Sequence, residues 1–476
     1  MANTTRRTLL AGGAGLAAAC AQQSAYKPNI VYVILDDFGL YDAGCYGSKA
    51  IRTPNIDRLA AEGMLFTDAY SGCSVCAPAR STIMTGLHMG HTPVRGNSGG
   101  ISLRAEDYTM AGMLTNNGYT CGGFGKWGIG ELDTPGAPEK HGFERFFGYY
   151  HQVHAHYFYP DYLIDTGRKV PLPGNRGFYE SKPKAGAFPL TDPASGRRRT
   201  FSAYAIVEEM KKFLRTNKDR PFFCYAPWTI PHARHEVPES DPAWALYRDK
   251  PWPIEARVHA SYCSMADRFL GETLALLKEL NLESNTLVLF SSDNGAAETY
   301  GGSLDSAGNL RGQKTLMYEG GIRTPLVARW PGRIKAGART DAPVYFPDLL
   351  PTFAELTGSQ RYAPQEVDGV SLAGLLTGKG GPPPDRHMYW EWNGAHFAKG
   401  YDVQNQACRR GDWKIVRNKA GQPWELYHLK EDPGERNDLA AKNPKLVAEL
   451  DAWVRANRAS PPPQTEPSKP EGQQWR

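Results

Sequence analysis

The sequence has no apolar run long enough to span a bilayer. A transmembrane helix needs about 20 consecutive apolar residues, whereas the apolar stretch near the start covers only residues 9–19. Charge of one sign is not in excess either, because 55 Lys and Arg stand against 50 Asp and Glu, a formal net charge of +5. The densest basic run, residues 197–199, is typical of a solvated loop. We therefore expect no nucleic-acid partner.

Cysteine is scarce and scattered. The eight cysteines are spread over 476 residues, which excludes a small disulfide-stabilised scaffold. No group of Cys and His has the close spacing of a zinc site. Cys73 and Cys76 have the spacing of a redox pair, but the residues that follow Cys76 indicate a different role.

The length predicts more than one structural unit, because a single hydrophobic core stops growing at roughly 250–300 residues. The hydrophobic fraction of 41% and the charged fraction of 22% are ordinary for a globular protein. We predict a main domain over residues 27–380, a C-terminal subdomain over 381–459 and a disordered, Pro- and Gln-rich tail over 460–476. No internal repeat is evident.

Residues 1–20 have the pattern of an export signal. Arg6 and Arg7 form a twin-arginine pair directly before the apolar stretch. Residues 17–20 are similar to a lipoprotein cleavage box in which Cys20 would carry the lipid, although Ala17 replaces the usual Leu. We expect an exported bacterial protein, periplasmic or at the cell surface, whose one membrane contact would be a lipid at Cys20.

Apolar, β-branched runs alternate with amphipathic segments along the main domain. Strands are predicted over residues 29–35, 119–124, 222–227 and 286–291, and helices over 54–62, 105–117, 201–216 and 255–280. This alternation predicts an α/β fold with a mostly parallel sheet. Residues 134–200, rich in Gly, Pro and aromatics, are predicted to be a loop-rich insertion. Short strands over 388–392, 413–417 and 425–428 and a helix over 443–457 predict an α+β subdomain.

Polar side chains directly follow the predicted strands. Asp36 and Asp37 follow the first, Lys126 follows the second, and Asp293 and Asn294 follow the last. Ligands bind at the carboxyl ends of the strands in such a sheet. One Asp pair alone is commonly a turn or a helix cap, but two pairs at two strand ends favour a binding site.

Residues 74–80, with the sequence SVCAPAR, form the most informative local motif. Pro78 and the residues beyond it can form a helical turn, which places Cys76 near a helix N-terminus where backbone N–H groups favour negative charge. Arg80 can return to the same place as a fixed cation. On residue type alone, a buried structural cysteine is an equally good interpretation.

This motif resembles the signature of the type I, formylglycine-dependent sulfatases, which are arylsulfatase-like enzymes: Cys-x-Pro-Ser/Ala-Arg with Thr-Gly downstream. The resemblance extends from Pro28 to about Leu439. It implies an alkaline-phosphatase-like α/β fold, with a large mixed sheet between helices plus a small C-terminal α+β subdomain. It also implies that a formylglycine-generating enzyme oxidises Cys76. A thiol would form a stable adduct with sulfate, whereas the hydrated aldehyde can expel sulfate by collapsing back.

The resemblance implies a divalent cation at the strand ends. Asp36 and Asp37 match the family's first pair of metal ligands, and Asp293 and Asn294 match the second pair. Cys76, once modified, would complete the site together with a sulfate oxygen. Oxygen ligands suit a hard cation, so the expected ion is Ca²⁺, with Mg²⁺ as the alternative.

Three further positions match family residues that contact the sulfate ester. Lys126, in Gly-Lys-Trp, matches a lysine that contacts sulfate and the nucleophile, and Lys314 matches a second sulfate contact. His232 matches the histidine at the ester oxygen, which suits protonation of a leaving alkoxide. Arg323, in the block over residues 319–325, is a candidate for substrate binding.

Gly128 departs from the family pattern, which usually has a histidine there that contacts the formylglycine and helps its sulfate adduct to collapse. His151, His154 and His156 are the candidates to supply its function, and His156 is preferred. An aromatic-packed or solvated histidine is an equally good interpretation of each. A similar Gly-Lys-Trp-Gly variant occurs in some bacterial carbohydrate-acting members, which favours a sugar substrate.

In the C-terminal subdomain, Trp392 and His396 are candidates for contact with a sugar ring, although Trp392 also suits a subdomain core. The sequence thus predicts a sulfuric ester hydrolase that removes sulfate from a sulfated sugar or oligosaccharide. The alternatives are a phosphonate or phosphate monoester hydrolase of the same superfamily, and a degenerate sugar-binding homologue.

Overall fold

The computed structural model describes residues 27–97, 101–175, 199–233, 236–298, 300–364, 366–392, 405–419 and 421–460. The strands are β1 (Asn29–Asp36), β2 (Met64–Phe66), β3 (Ala69–Tyr70), β4 (Thr120–Lys126), β5 (Arg145–Tyr149), β6 (Tyr162–Asp165), β7 (Arg168–Pro171), β8 (Phe222–Pro231), β9 (Thr286–Ser292), β10 (Leu326–Arg329), β11 (Ala338–Thr340), β12 (Val344–Tyr345), β13 (His387–Trp392), β14 (Asn405–Arg410), β15 (Trp413–Arg417) and β16 (Glu425–His428). The helices are α1 (Pro54–Ala61), α2 (Cys76–Thr85), α3 (Met110–Asn116), α4 (Ser202–Thr216), α5 (Pro242–Ala245), α6 (Ile254–Glu279), α7 (Glu319–Ile322), α8 (Leu349–Thr357), α9 (Ala373–Thr377) and α10 (Pro444–Ala456).

A ten-stranded mixed sheet forms the centre of the main domain, in the order β11-β2-β10-β9-β1-β8-β4-β5-β6-β7. Strand β1 is parallel to β8 and to β9, and β4 is parallel to β8 and to β5. The carboxyl ends of these five strands therefore lie at one edge of the sheet. Strand β10 pairs antiparallel with β9, which makes the sheet mixed.

Helices cover both faces of this sheet. The side chains of β1 alternate between two separate hydrophobic clusters, as the period of two along a strand requires. One cluster includes apolar residues of α2, α3 and α8, and the other includes those of α1, α4 and α6. Because both faces are covered, β1 is an uninterrupted buried run. The predicted α/β fold, with a large mixed sheet between helices, is confirmed.

The segment over residues 134–200, expected to be a loop-rich insertion, also contributes three short strands to the large sheet. Strands β5, β6 and β7 extend the sheet on one side. The glycines there allow close strand packing: a Cβ on Gly148, whose φ is +150°, would stand 2.0 Å from the carbonyl oxygen of Gly125 on β4. Residues 176–198 lie outside the described part of the chain.

The predicted helix over residues 105–117 begins later than expected, at Met110. Thr109 caps it, because its side chain accepts a hydrogen bond from the Gly112 N–H. Ahead of the cap, Asp107 accepts a hydrogen bond from the Arg104 N–H at 2.7 Å and so stabilises a turn. The other seven segments predicted in the main domain appear with ends shifted by at most a few residues.

The C-terminal segment forms a four-stranded antiparallel sheet in the order β13-β14-β15-β16, with α10 following it. Strand β14 was not expected from the sequence. Trp390 of β13 is fully buried and its ring centroid lies 5.3 Å from that of Tyr70 in the main domain. The two sheets thus share one hydrophobic core. The domain limits at residues 380 and 459 remain predictions.

No helix within the described ranges is both long and apolar enough to cross a membrane. The predicted export signal, with Cys20, and the tail beyond residue 460 lie outside those ranges.

Candidate functional site

Two acidic segments meet at the carboxyl edge of the large sheet. Asp36 ends β1 and Asp37 follows it, while Asp293 and Asn294 follow the neighbouring strand β9. The Asp37 N–H donates to Asp293 Oδ1 at 3.3 Å, and Asn294 Nδ2 donates to Asp37 Oδ1 at 2.8 Å. Parallel pairing of β1 with β9 therefore brings together residues more than 250 positions apart.

The oxygen atoms gathered here fit a hard divalent cation. Asp36, Asp37 and Asp293 are all buried. Asn294 is also buried, and its Oδ1 has no hydrogen-bond partner among the described residues. A buried polar atom left in this state costs about 1–3 kcal/mol and is uncommon. Three carboxylates and one amide oxygen without a partner match the ligand chemistry of Ca²⁺ or Mg²⁺.

Cys76 is the first residue of α2, all ten residues of which are buried. Its Sγ lies 3.1 Å from Asp36 Oδ1 and 3.4 Å from Lys314 Nζ. Burial, together with Asp293 and Asp36, raises the pKa of the thiol. The unmodified thiol is therefore protonated at neutral pH, unlike the cysteine of a thiolate enzyme.

The arrangement of Cys73 does not support a redox pair with Cys76. Cys73 is buried, and its Sγ lies 3.5 Å from the carbonyl oxygen of Glu391, as a weak donor to it. Both cysteines are free.

Arg80 lies one turn into α2 and is fully buried. Its Nε and Nη2 donate to the same Asp293 oxygen at 3.1 and 2.8 Å. Its Nη1 donates to the Lys126 carbonyl at 2.6 Å. The guanidinium thus ties the start of α2 to the ends of β4 and β9, which requires the planar, multi-donor geometry of arginine.

Two lysines point at the first acidic pair. Lys126, at the end of β4, donates from Nζ to Asp36 Oδ2 at 2.7 Å, and Lys314 donates to Asp37 Oδ1 at 2.5 Å. With Arg80 on Asp293, each carboxylate of the site has its own cation. Such a set of fixed positive charges suits an anionic group.

Burial and these cations act in opposite directions on the carboxyl groups. Burial by itself would raise the pKa of Asp36, but its neighbours, Lys126 first, hold the pKa well below its ordinary value. The pKa of Asp37 is lowered in the same way, mainly by Lys314. The pKa of Asp293 is raised by burial and by the nearby charge of Asp36.

Two histidines lie at the opening of the site. His232 follows β8, and its Nε2 lies 3.4 Å from Asp37 Oδ2. The His156 ring stacks on it with a centroid distance of 4.0 Å. The Nε2 of His156 is buried and has no hydrogen-bond partner among the described residues. Burial lowers the pKa of both rings.

The chain that carries this site is similar to known proteins. The family model described as "Sulfatase" matches residues 28–359, and a second, described as "N-sulphoglucosamine sulphohydrolase, C-terminal", matches residues 312–458. Arylsulfatase A of Homo sapiens is 33% identical over 488 residues, which cover 94% of this chain and 89% of that protein. The chain belongs to the sulfatase family.

Other known proteins resemble the chain over a similar extent. N-acetylgalactosamine-6-sulfatase of Canis lupus familiaris is 29% identical over 91% of this chain and 85% of its own length. The crystal structure of Ps i-CgsB in complex with k-i-k-neocarrahexaose has a TM-score of 0.76 at 25% identity, and covers 94% of this chain and 97% of that one. The protein is accordingly a sulfuric ester hydrolase with the sulfatase, alkaline-phosphatase-like fold.

Some residues predicted for substrate binding in this sulfatase lie away from the acidic edge. His154 is buried, its ring 5.0 Å from the ring of Tyr149 and 4.8 Å from that of Tyr162. It packs within an aromatic cluster, while His156, two residues later, faces the site. His151 lies with its Nε2 3.3 Å from Glu131 Oε1.

The contacts of Arg323 also lie away from the acidic edge. It donates to the Thr67 carbonyl and to Glu319 Oε2, and lies 3.4 Å from Asp68. These contacts hold the Arg323 guanidinium near the C-terminal sheet, away from the acidic residues at the carboxyl edge of the large sheet. Block 319–325 therefore links the two sheets.

Trp392 is half-buried at the end of β13, where it pairs with Asn405. Asn405 Nδ2 donates to the Thr315 carbonyl at 2.8 Å, which places this end of the C-terminal sheet beside the Lys314 segment. His396 lies outside the described residues.

Two residues around the start of α2 were not identified as site residues from the sequence. Asn97 Oδ1 accepts a hydrogen bond from the Ala77 N–H at 2.9 Å, and Gln152 Nε2 donates to the same oxygen at 3.1 Å. Gln152 lies between the histidines singled out above. An amide side chain in a loop gives no sequence signal by itself.

Proposed function

We propose that this sulfatase removes sulfate from a sulfated carbohydrate, with Cys76 converted to formylglycine as its nucleophile and Ca²⁺ as its metal ion. The observation that carries the proposal is the convergence of two groups of residues. The buried Cys76 at a helix start lies 3.1 Å from Asp36. Arg80, Lys126 and Lys314 are paired with Asp293, Asp36 and Asp37 beside it.

We assign the metal to Asp36, Asp37, Asp293 and Asn294. The Oδ1 of Asn294, buried without a partner among the described residues, supports this assignment, because a bound ion would supply the missing interaction. The ligands are all oxygens, which favours Ca²⁺, with Mg²⁺ as the alternative. When bound, the cation would offset the negative charge of a sulfate oxygen.

Arg80, Lys126 and Lys314 are proposed to bind and orient the sulfate group. Arg80 and Lys126 are fully buried, and the carboxylates that hold all three cations fix their positions before substrate arrives. Groups that are already oriented need no reorganisation as charge develops, which makes electrostatic stabilisation effective.

His232 is proposed to deliver a proton to the leaving sugar oxygen. Its Nε2 lies 3.4 Å from Asp37 Oδ2 and its side chain is not fully buried, so it can reach an ester bound beside Asp37. His156 stacks behind it and restricts the orientation of its ring. A histidine near the departing oxygen fits general acid catalysis.

The carbohydrate class is supported by the relatives. One is named for N-acetylgalactosamine 6-sulfate chemistry, and one solved structure holds a neocarrahexaose. Trp392 lies beside the Lys314 segment, where an aromatic face can stack on a sugar ring. An exported location and a formylglycine-generating partner enzyme belong to the same proposal.

The test begins with mass spectrometry of the peptide that contains residue 76, from protein made in the native host. We expect the mass to fall by the difference between CH₂SH and CHO. Turnover of matched sulfate and phosphate esters should then favour sulfate, and a Cys76→Ala variant should be inactive. Active protein in which residue 76 is entirely an unmodified thiol would overturn the proposed nucleophile.

A further inference from the structure

Gly128 lies directly behind the cations of the site. Its φ is +76°, and its N–H donates to the Tyr150 carbonyl at 3.0 Å. A Cβ built on Gly128 would stand 3.7 Å from Lys126 Cε and 3.8 Å from Arg80 Cδ. A side chain at this position would thus enter the space between two residues that we assign to sulfate binding.

Gln152 occupies that space. Its Oε1 lies 2.7 Å from the position of the Gly128 Cβ, which is too close for both groups to be present. Gln152 is only 1% exposed. A residue of a neighbouring loop therefore fills the space next to Lys126 and Arg80 that a larger residue at 128 would take.

The hydrogen bonds of Gln152 fix which end of its amide faces the site. Asn97 Oδ1 accepts from the Ala77 N–H, so it can receive only a donor from Gln152, which is Nε2 at 3.1 Å. The opposite orientation would place two oxygens together. Oε1 therefore points away from Asn97, toward the space behind Lys126 and Arg80.

That Oε1 is a buried acceptor without a hydrogen-bond partner among the described residues. Folded proteins leave few such atoms, and those that exist call for an explanation. The other end of the same amide is linked through Asn97 to Ala77, the residue after Cys76. The nitrogen of the Gln152 amide is thus linked through Asn97 to the backbone next to Cys76. The oxygen of the same amide is an acceptor with no donor among the described residues.

We infer that Gln152 is a positioning residue for residue 76. Through Asn97 it holds the first turn of α2, and its Oε1 accepts a hydrogen bond from a hydroxyl of residue 76 after conversion. This inference rests on the proposed function. An amide oxygen is not protonated near neutral pH, so Gln152 orients that hydroxyl and takes up no proton from it.

The test is Gln152→Met, which keeps length and volume but removes the amide. For a positioning residue we expect kcat to fall about tenfold, the effect of one lost hydrogen bond, with KM changed less than threefold. The thermal midpoint of unfolding should stay level, because loss of the hydrogen bond from Nε2 to Asn97 is offset by removal of a buried oxygen that lacks a partner. Gln360→Met, the same change at an exposed position, is the matched control and should leave kcat and the midpoint unchanged.

Conversion of residue 76 is measured by mass spectrometry in every protein, and kcat is expressed per converted molecule. A normalised kcat within threefold of the wild type would overturn the inference, and so would a lowered thermal midpoint alongside the lowered kcat, which indicates a structural role. Wild-type protein that is active but unconverted would instead contradict the proposed nucleophile, so the two failures are distinguishable.

Discussion

Replacing Lys414 by methionine removes the cation that lies between two buried carboxylates. Lys414 Nζ, on β15, is 2.9 Å from Glu319 Oε1 and 2.8 Å from Glu435 Oε1, and all three side chains are fully buried. Breaking a buried ion pair by removing one partner costs about 3–5 kcal/mol, because the remaining charge is left without compensation. We expect Lys414→Met to lose stability of that order.

The loss should depend on pH in a defined direction. Burial raises the pKa of Glu435 to about 7, even though Lys414 lowers it. When the pKa of a carboxyl is higher in the folded than in the unfolded protein, stability is lost as pH rises from the unfolded pKa to the folded pKa. Without Lys414 the folded pKa of Glu435 rises further, and this window extends above pH 7. The stability deficit of the variant should then grow by up to about 1.4 kcal/mol per pH unit above pH 7.

Urea unfolding, followed by tryptophan fluorescence at pH 6, 7, 8 and 9, measures the deficit. Lys442→Met, the same change at an exposed position, is the control and should stay within about 0.5 kcal/mol of the wild type at each pH. A deficit no larger than that of the control, or one that does not change between pH 7 and 9, would refute the reasoning.

Three further predictions follow from single side chains. Asn294→Ala should weaken Ca²⁺ binding at least tenfold in isothermal titration calorimetry, and unchanged affinity would contradict its assignment as a ligand. Burial lowers the pKa of His154 to about 3. Below about pH 6.5 the unfolded protein therefore binds more protons than the folded protein, and stability falls as pH drops. His154→Phe should remove about 2 kcal/mol of the loss between pH 7 and pH 5 in urea unfolding, and a profile like that of the wild type would be the contrary result. Arg80→Lys should lower kcat at least a hundredfold, because lysine cannot bridge Asp293 and the Lys126 carbonyl together; a kcat within tenfold would count against this role.

The central fold could be predicted from the sequence because its strands are covered on both faces. Residues 29–35 are a continuous apolar run with polar residues directly after it, a pattern that few structures other than a buried parallel strand explain. The three strands within residues 134–200 were not predicted, because that segment lacks a continuous apolar run and is rich in glycine. Its glycines permit close strand packing around Gly148, but in the sequence they look the same as the glycines of a loop.

The site residues also divide into those that a local sequence pattern indicates and those that only tertiary contacts bring to the site. Asp36, Asp293 and Cys76 have local signals: two strand ends and one motif. Gln152 has none, because its place is set by the absence of a side chain at Gly128 and by contacts across the fold. Residue type in the sequence indicates which chemistry is available. That Gln152 fills the space beside Gly128 is known only from the folded structure.

The C-terminal sheet contributes to the site through position more than through chemistry. Lys414 of β15 binds Glu319, the first residue of α7. The carbonyl of Gly321 in that helix accepts a hydrogen bond from the Gly295 N–H at 3.0 Å, directly after Asn294. Asn294, the assigned metal ligand, is therefore connected through Gly295 and α7 to the buried ion pair that Lys414 of the C-terminal sheet forms with Glu319. A metal site built at strand ends depends on such supports, since loops that follow strands have few contacts of their own.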